Sequence, residues 1–298
     1  MHIRYGYDIT ISCEQATPAI LMLDVHPDRR GDLAEPDEPE VTALVGGASL
    51  VTEPFIDPFG NIARRLLVPA GGARLTAAGM IHDPGFPEVL PLDAHATMPQ
   101  DLPKEALPFL AGSRYCETDR LMALAWEQFG TVPAGGRQVQ AICDLVHAHL
   151  RFDYMAARST RTAAEAWDER TGVCRDFAHL ALTLCRCLNI PARYVTGYLG
   201  DIGVPAMPDP MDFSAWFEVL LDGHWHAFDA RHNRPRIGRI PVALGRDAAD
   251  VAMISTFGAH RLESFAVITE EVEGDRFPQT AGERRDHWQA MSRFRSAG

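Results

Sequence analysis

Cys174 stands in the stretch TGVCRDFAHL, two residues after Gly172 and where an apolar period of about 3.6 residues begins. A thiol at a helix N-terminus meets unpaired backbone N–H groups and the positive end of the dipole, which favour thiolate and can lower its pKa from ~8.5 into the range of roughly 3.5 to 7.5. Arg175, the next residue, acts in the same direction. The same amides could hold the oxyanion formed when a carbonyl is attacked, which acyl transfer requires. The competing reading is a small apolar residue packed at a helix cap, and this stretch alone leaves both open.

The other chemically capable residues narrow the choice. Cys13, Cys116, Cys143, Cys185 and Cys187 complete a set of six cysteines in a chain with no export signal, so reduced thiols are expected and a disulfide framework is not. No Cys-x2-Cys pair exists, and Cys185 and Cys187 diverge on a helix and read as packing. His224 and His226 share one strand face and His232 has the same parity, but no carboxylate or cysteine stands at a matching position. No metal site is expected there and no cofactor is implied.

Composition bounds the partners. With 298 residues, 46% hydrophobic and 23% charged, the chain is globular and long enough for two domains. A net charge of -12 repels phosphate backbones and anionic lipid, which argues against nucleic acid and membrane surfaces and for a peptide or protein substrate or a small molecule. No apolar run reaches about 18 residues, so a cytoplasmic protein is expected.

The elements that must position Cys174 follow from periodicity. Residues 2–12 alternate, with Ile3, Tyr5, Tyr7, Ile9 and Ile11 on one face; segments 19–25, 41–45 and 63–69 continue the strand pattern, and DPFGN at 57–61 is a tight turn. An N-terminal antiparallel β domain over 1–83 is the result. Recurrent prolines mark 84–108 as an extended surface linker. The period then lengthens to that of helices, with Thr162 as an N-cap and a buried helix over 174–188 that Pro191 stops. Strands at RYVTGYLG, FSAWFEVLL and HWHAFDA follow, the last two joined by Asp222-Gly223, a two-residue hairpin signal. An α+β domain over 109–273 and a C-terminal tail over 274–298 complete the expected organisation.

Read together, GVCRDFAHLALTLCRCLNIPARYVTGYL and DFSAWFEVLLDGHWHAFDA resemble the core of the transglutaminase-like superfamily, and DPFGN, TAAEAW and GRDAADVAMISTFG fit its bacterial members with an N-terminal β region. The resemblance spans roughly residues 1–273. It implies a papain-like α+β core whose members cleave, deamidate or cross-link amide bonds through a Cys-His-Asp triad and a thioester. On that resemblance Cys174 matches the nucleophile and Asp229 the acidic member.

The histidine is the departure: members commonly read His-Ala-Trp where this chain has Ser214-Ala215-Trp216. A two-residue turn at Asp222-Gly223 pairs Leu221 with His224, and counting back pairs Trp216 with Asp229 and Ser214 with Arg231. Ser214, Trp216, Glu218, Trp225, Asp229 and Arg231 then share one face, with His224 and His226 on the other. A serine hydroxyl does not accept a thiol proton near neutral pH. His232 replaces the missing base if the chain bends at Ala230, and His179, about 140° round the helix from Cys174, reads as packing. Asp176 reads as a first-turn charge matched to the helix dipole. Trp216, Arg231 and Arg175 are the expected substrate-binding residues. Two functions follow: a thiol-dependent hydrolase or acyltransferase on peptide or glutamine-type amides, or a degenerate module that keeps the cleft to bind peptide or protein.

Overall fold

Five inward-facing side chains, Ile3, Tyr5, Tyr7, Ile9 and Ile11, are each at most 1% exposed, and the alternation that places them makes residues His2–Ser12 one long strand, β1. The computed structural model describes residues 1–35, 38–207 and 211–272, so the expected tail at 274–298 lies outside the described residues. Strands β2 (Thr17–Leu21), β3 (Glu40–Ala43), β4 (Glu53–Ile56), β5 (Ile62–Val68) and β6 (Ala73–His82) follow β1. In DPFGN, Asp57 Oδ1 accepts from the Phe59 and Asn61 N–H groups at 2.8 Å, closing the turn between β4 and β5.

Helices α1 (Thr118–Phe129), α2 (Gly136–His149), α3 (Ala163–Glu169) and α4 (Cys174–Cys187) come next, with the short strands β7 (Arg151–Phe152) and β8 (Thr171–Gly172) among them. Thr162 caps α3 through a reciprocal pair of bonds with Glu165, as its spacing predicts. Every residue of α4 from Asp176 to Cys187 is buried, because α1, α2 and α3 surround it on one side and a sheet closes the other. That sheet contains β9 (Ala192–Tyr198), β10 (Ser214–Leu221), β11 (His224–Phe228) and β12 (Ile240–Gly245), antiparallel in the order β11-β10-β9-β12. Asp222 and Gly223 take φ of +46° and +78°, the left-handed pair a type I′ turn requires, and Leu221 pairs with His224 as expected.

The chain then returns to its start. β13 (Ile254–Thr256) pairs with β2 and β14 (Arg261–Glu271) with β1, giving two antiparallel sheets in the orders β13-β2-β5-β4 and β14-β1-β6-β3. The N-terminal β region is therefore built from both ends of the chain, and residues 254–271, expected within the second domain, belong to its sheets. Long-range pairing cannot be read from alternation, which marks a strand but not its neighbour. The proline-rich stretch 84–108 is likewise more than a linker: Leu102 and Ala106 are buried against Leu220 and Trp225 of the hairpin. Among the described residues no helix is long and apolar enough to cross a membrane.

Candidate active site

The start of α4 is fixed by one carboxylate. Asp176, its side chain fully buried, accepts from the Val173 N–H at 2.9 Å and pairs with Arg161 at 2.9 Å. A Cβ on Gly172 would lie 2.6 Å from the Asp176 side chain, so the residue two before Cys174 must be glycine for the helix to begin where it does. Asp176 is thus the first-turn acid the sequence indicates, and it also aims the thiol.

Desolvation opposes ionisation of the thiol. Burial pushes the Cys174 thiol up to about 11, and nearby Asp212 adds to the rise, while Arg231 and the Ala215 and Arg175 backbone N–H groups oppose it. The helix-terminal lowering expected from position alone is outweighed by desolvation. Arg175 does not supply the expected side-chain cation: its guanidinium turns away to the Ser159 and Arg158 carbonyls and lies over the Tyr115 ring. Arg231 takes that place, with its guanidinium 3.8 Å from the Phe152 ring centroid and beside Tyr154.

Asp229 sits just past β11. The β10–β11 ladder ends at Phe217 and Phe228, so the expected pairs Trp216–Asp229 and Ser214–Arg231 do not form. Asp229 instead turns the chain: its Oδ1 accepts from the Arg231 and His232 N–H groups at 2.9 and 3.0 Å, and its carbonyl accepts from Asn233. That bend brings His232 Nδ1 to 2.8 Å from Asp229 Oδ2. His147 Nδ1, 3.1 and 2.9 Å from the Ala230 and Arg231 carbonyls, holds the turn from α2.

Electrostatics separate the members of this pair. Burial pushes the Asp229 carboxyl up, but the Arg239 charge and the His232 contacts outweigh it and hold it well below the usual carboxylate range. Arg239 Nη2 donates to Asp229 Oδ2 at 2.9 Å. His232 is lowered from 6.5, by burial first and by Arg236 and Arg231, with Asp229 pulling the other way. It is therefore neutral at pH 7, and a bond to carboxylate through Nδ1–H leaves Nε2 as the proton acceptor.

Ser214 is buried, and its Oγ has no hydrogen-bond partner among the described residues. It lines a cavity of about 50 Å³ together with His232, Arg231, Asp212 and Tyr154, while Ala215, the next residue, directs its N–H at the Cys174 sulfur. Ser214 thus shares a cavity with His232, and its neighbour Ala215 contacts the thiol.

Other expected residues lie elsewhere. Trp216 is 1% exposed on the face away from α4, packed with Val195 and Leu244 beneath Arg239, so it does not wall the thiol site. Glu218 pairs with Arg193 at 2.6 Å rather than with Arg231. His179 is fully buried, stacked on Tyr115 and accepting from the Ala248 N–H at 3.1 Å, a packing residue as its helical angle indicates. Arg239, Asp212 and His147 were not assigned to the site from sequence: Asp212 opens the DFSAW stretch and His147 lies on an amphipathic helix, but the turn at Asp229 that recruits Arg239 and His147 is invisible to strand counting.

Comparison with known proteins bears on the fold and the family. The model of the transglutaminase-like superfamily core matches residues 123–230, which contain Cys174, Ser214 and Asp229. The crystal structure of a candidate cysteine protease from Cytophaga hutchinsonii is 29% identical and superposes with a TM-score of 0.77 over 93% of each chain. An uncharacterized protein of Mycobacterium leprae is 31% identical over 109 residues, 35% of this chain, and the match spans 39% of that relative's length. With Cys174 opening the central helix and Asp229 closing the hairpin, the chain carries the core domain of the transglutaminase-like superfamily behind an N-terminal β region.

Proposed function

We propose that the protein is a thiol-dependent hydrolase or acyltransferase acting on peptide or glutamine-type amides. Cys174 is the nucleophile, and His232, oriented by Asp229, is the base in place of the imidazole that Ser214 replaces. The observation that carries this reading is the 2.8 Å contact between His232 Nδ1 and Asp229 Oδ2, in a turn whose histidine shares a cavity with Ser214. A neutral thiol and a neutral imidazole call for general-base attack, in which the proton leaves sulfur as the S–C bond forms. His232 Nε2 receives that proton, and the imidazolium then protonates the departing amine. Water or a second amine resolves the thioester, which separates hydrolysis from transfer. The Arg175 N–H and the Ala215 N–H stand where developing negative charge needs donors.

A second reading is favoured by the raised Cys174 thiol: a noncatalytic module that keeps the cleft to bind a peptide. Incubation with a glutamine-containing peptide and hydroxylamine, followed by mass spectrometry, separates the two. The enzyme gives a Cys174 acyl adduct and a hydroxamate product, both lost in Cys174→Ala. Peptide binding without adduct or product in the folded wild type supports the module and removes the enzyme.

A further inference from the structure

A second cavity, of about 440 Å³, lies on the face of the central sheet opposite α4. Its floor is the face of β10 and β11 that carries Trp216, Glu218, Trp225 and Ala227, while Phe217, Val219 and Phe228 point the other way into the core beneath α4. The loops at 26–29, 83–88 and 236–241 form its walls. A volume in this range suits a small organic molecule.

The polar groups around it are unequal in number. His26, Arg236 and Arg239 line the cavity and are 5%, 2% and 7% exposed, and each carries a nitrogen without a partner among the described residues: His26 Nε2, Arg236 Nε and Arg239 Nη1. His26 Nδ1 accepts from the Asp28 N–H at 3.3 Å and lies 3.5 Å from the Asp28 carboxylate; with the ring proton on Nε2, all three are donors. Other nitrogens of both guanidiniums have partners: Arg236 Nη2 the Gly200 carbonyl at 2.8 Å and Asp201 at 3.6 Å, Arg239 Nη2 Asp229 at 2.9 Å and Arg239 Nε Glu88 at 2.7 Å. Of the acids of the lining, Glu218 pairs with Arg193, Glu88 with Arg239 and Asp83 with Arg29, while Asp28 is largely exposed and lies 3.5 Å from His26 Nδ1. Buried donors left without acceptors are costly, and two guanidiniums this close repel; burial and the Arg239 charge together pull Arg236 below its usual value. An anion relieves both costs. Apolar surface from Phe86, Leu244, Pro84 and Pro241 completes the lining, and Phe86, 78% exposed, stands at the mouth.

From the three unpartnered donors and the apolar walls we infer that this cavity is a binding site for a small aromatic or apolar carboxylate, with its oxygens on Arg236, Arg239 and His26. Cys174 is not part of its lining, although Arg236 also lines the Ser214–His232 cavity, and the inference stands whether or not Cys174 is catalytic. Arg239 is shared between this cavity and Asp229, so an occupant there touches the residue that holds the Asp229–His232 pair.

Isothermal titration with benzoate, benzamide and inorganic phosphate tests it on the full chain. Benzoate is expected to bind at least about 10-fold more tightly than neutral benzamide, because a charge-assisted bidentate contact is lost in the amide. Arg236→Gln and His26→Phe should each weaken benzoate by about 5-fold or more, while Cys174→Ala leaves it unchanged. Benzoate no tighter than benzamide, phosphate as tight as benzoate, or loss of benzoate binding in Cys174→Ala each overturns the assignment. If one variant fails to fold, the benzoate to benzamide ratio in the wild type still decides.

Discussion

His232 reaches Asp229 across a turn that Asp229 itself ties: one carboxylate oxygen takes two backbone N–H groups and the other takes the imidazole at 2.8 Å. A single residue therefore bends the chain and orients the base, so its loss has two effects that can be told apart. Asp229→Asn keeps acceptor geometry at Oδ1 and removes the charge. It also strands the buried Arg239, so it is expected to reduce Cys174-dependent turnover by on the order of 10²- to 10⁴-fold and to lower the denaturation midpoint as well. His232→Ala should show the same loss of turnover, and equal turnover in His232→Ala and wild type would remove His232 from the reaction. The pH profile carries a sign: the imidazole is held below 6.5, so activity that needs it neutral persists below pH 6.5 and falls only as the folded-state imidazole protonates.

The rate at which iodoacetamide labels Cys174 reports its thiolate fraction. With the thiol raised to about 11, labelling should climb close to 10-fold per pH unit from pH 7 to 10, without a plateau near neutrality. Ser214→His places an imidazole in the cavity beside the thiol. Labelling at pH 7 is then expected to rise at least about 10-fold through a thiolate–imidazolium pair. A plateau below pH 8 in the wild type would contradict the buried neutral thiol.

Asp176 and Arg161 form a buried pair whose side chains are 0% and 5% exposed, and the carboxylate also fixes the start of α4. Removing Arg161 leaves the buried carboxylate with only the longer Arg175 ion pair at 3.3 Å, so Arg161→Met is expected to destabilise by up to about 3 to 5 kcal/mol in urea denaturation. Replacing both together should recover much of that, because no lone charge remains. The same single variant should loosen Cys174, which peptide-adduct yield can follow independently of stability.

What the sequence made legible tracks the range of the interactions involved. The Asp222-Gly223 turn fixed the β10–β11 register because a two-residue loop leaves no freedom, and Thr162 announced its helix through a partner three residues away. Cys174 was legible as the first residue of a buried helix, but its protonation was not. A helix terminus lowers a thiol only while solvent or donors keep it cheap to ionise, and enclosure by Tyr154, Asp212 and β10 is a tertiary fact. The same limit hid Arg239, which reaches Asp229 from ten residues on, and the return of β13 and β14 to the N-terminal sheets. The bend at Ala230 was readable as one of two outcomes, and the Asp229 side chain chose between them.

His179 gives the last prediction, because it is buried in the core without a counter-charge. Burial holds its imidazole well below 6.5, with Arg175 and Arg186 adding to the effect, and its Nε2 accepts from the Ala248 N–H. In the unfolded chain the same group titrates near 6.5. Below that pH the unfolded state binds the extra proton and the folded state does not, so stability must fall as pH drops through 6.5 and stay level above it. The contribution is at most about 1.4 kcal/mol for each pH unit. Denaturation midpoints from pH 8 to 5 should therefore fall in the wild type. His179→Gln keeps an acceptor for Ala248 and cannot protonate. It should start from a lower midpoint at pH 8 yet lose less on acidification, so that the two curves converge toward pH 5. Parallel curves would mean that His179 is not the group that carries this dependence.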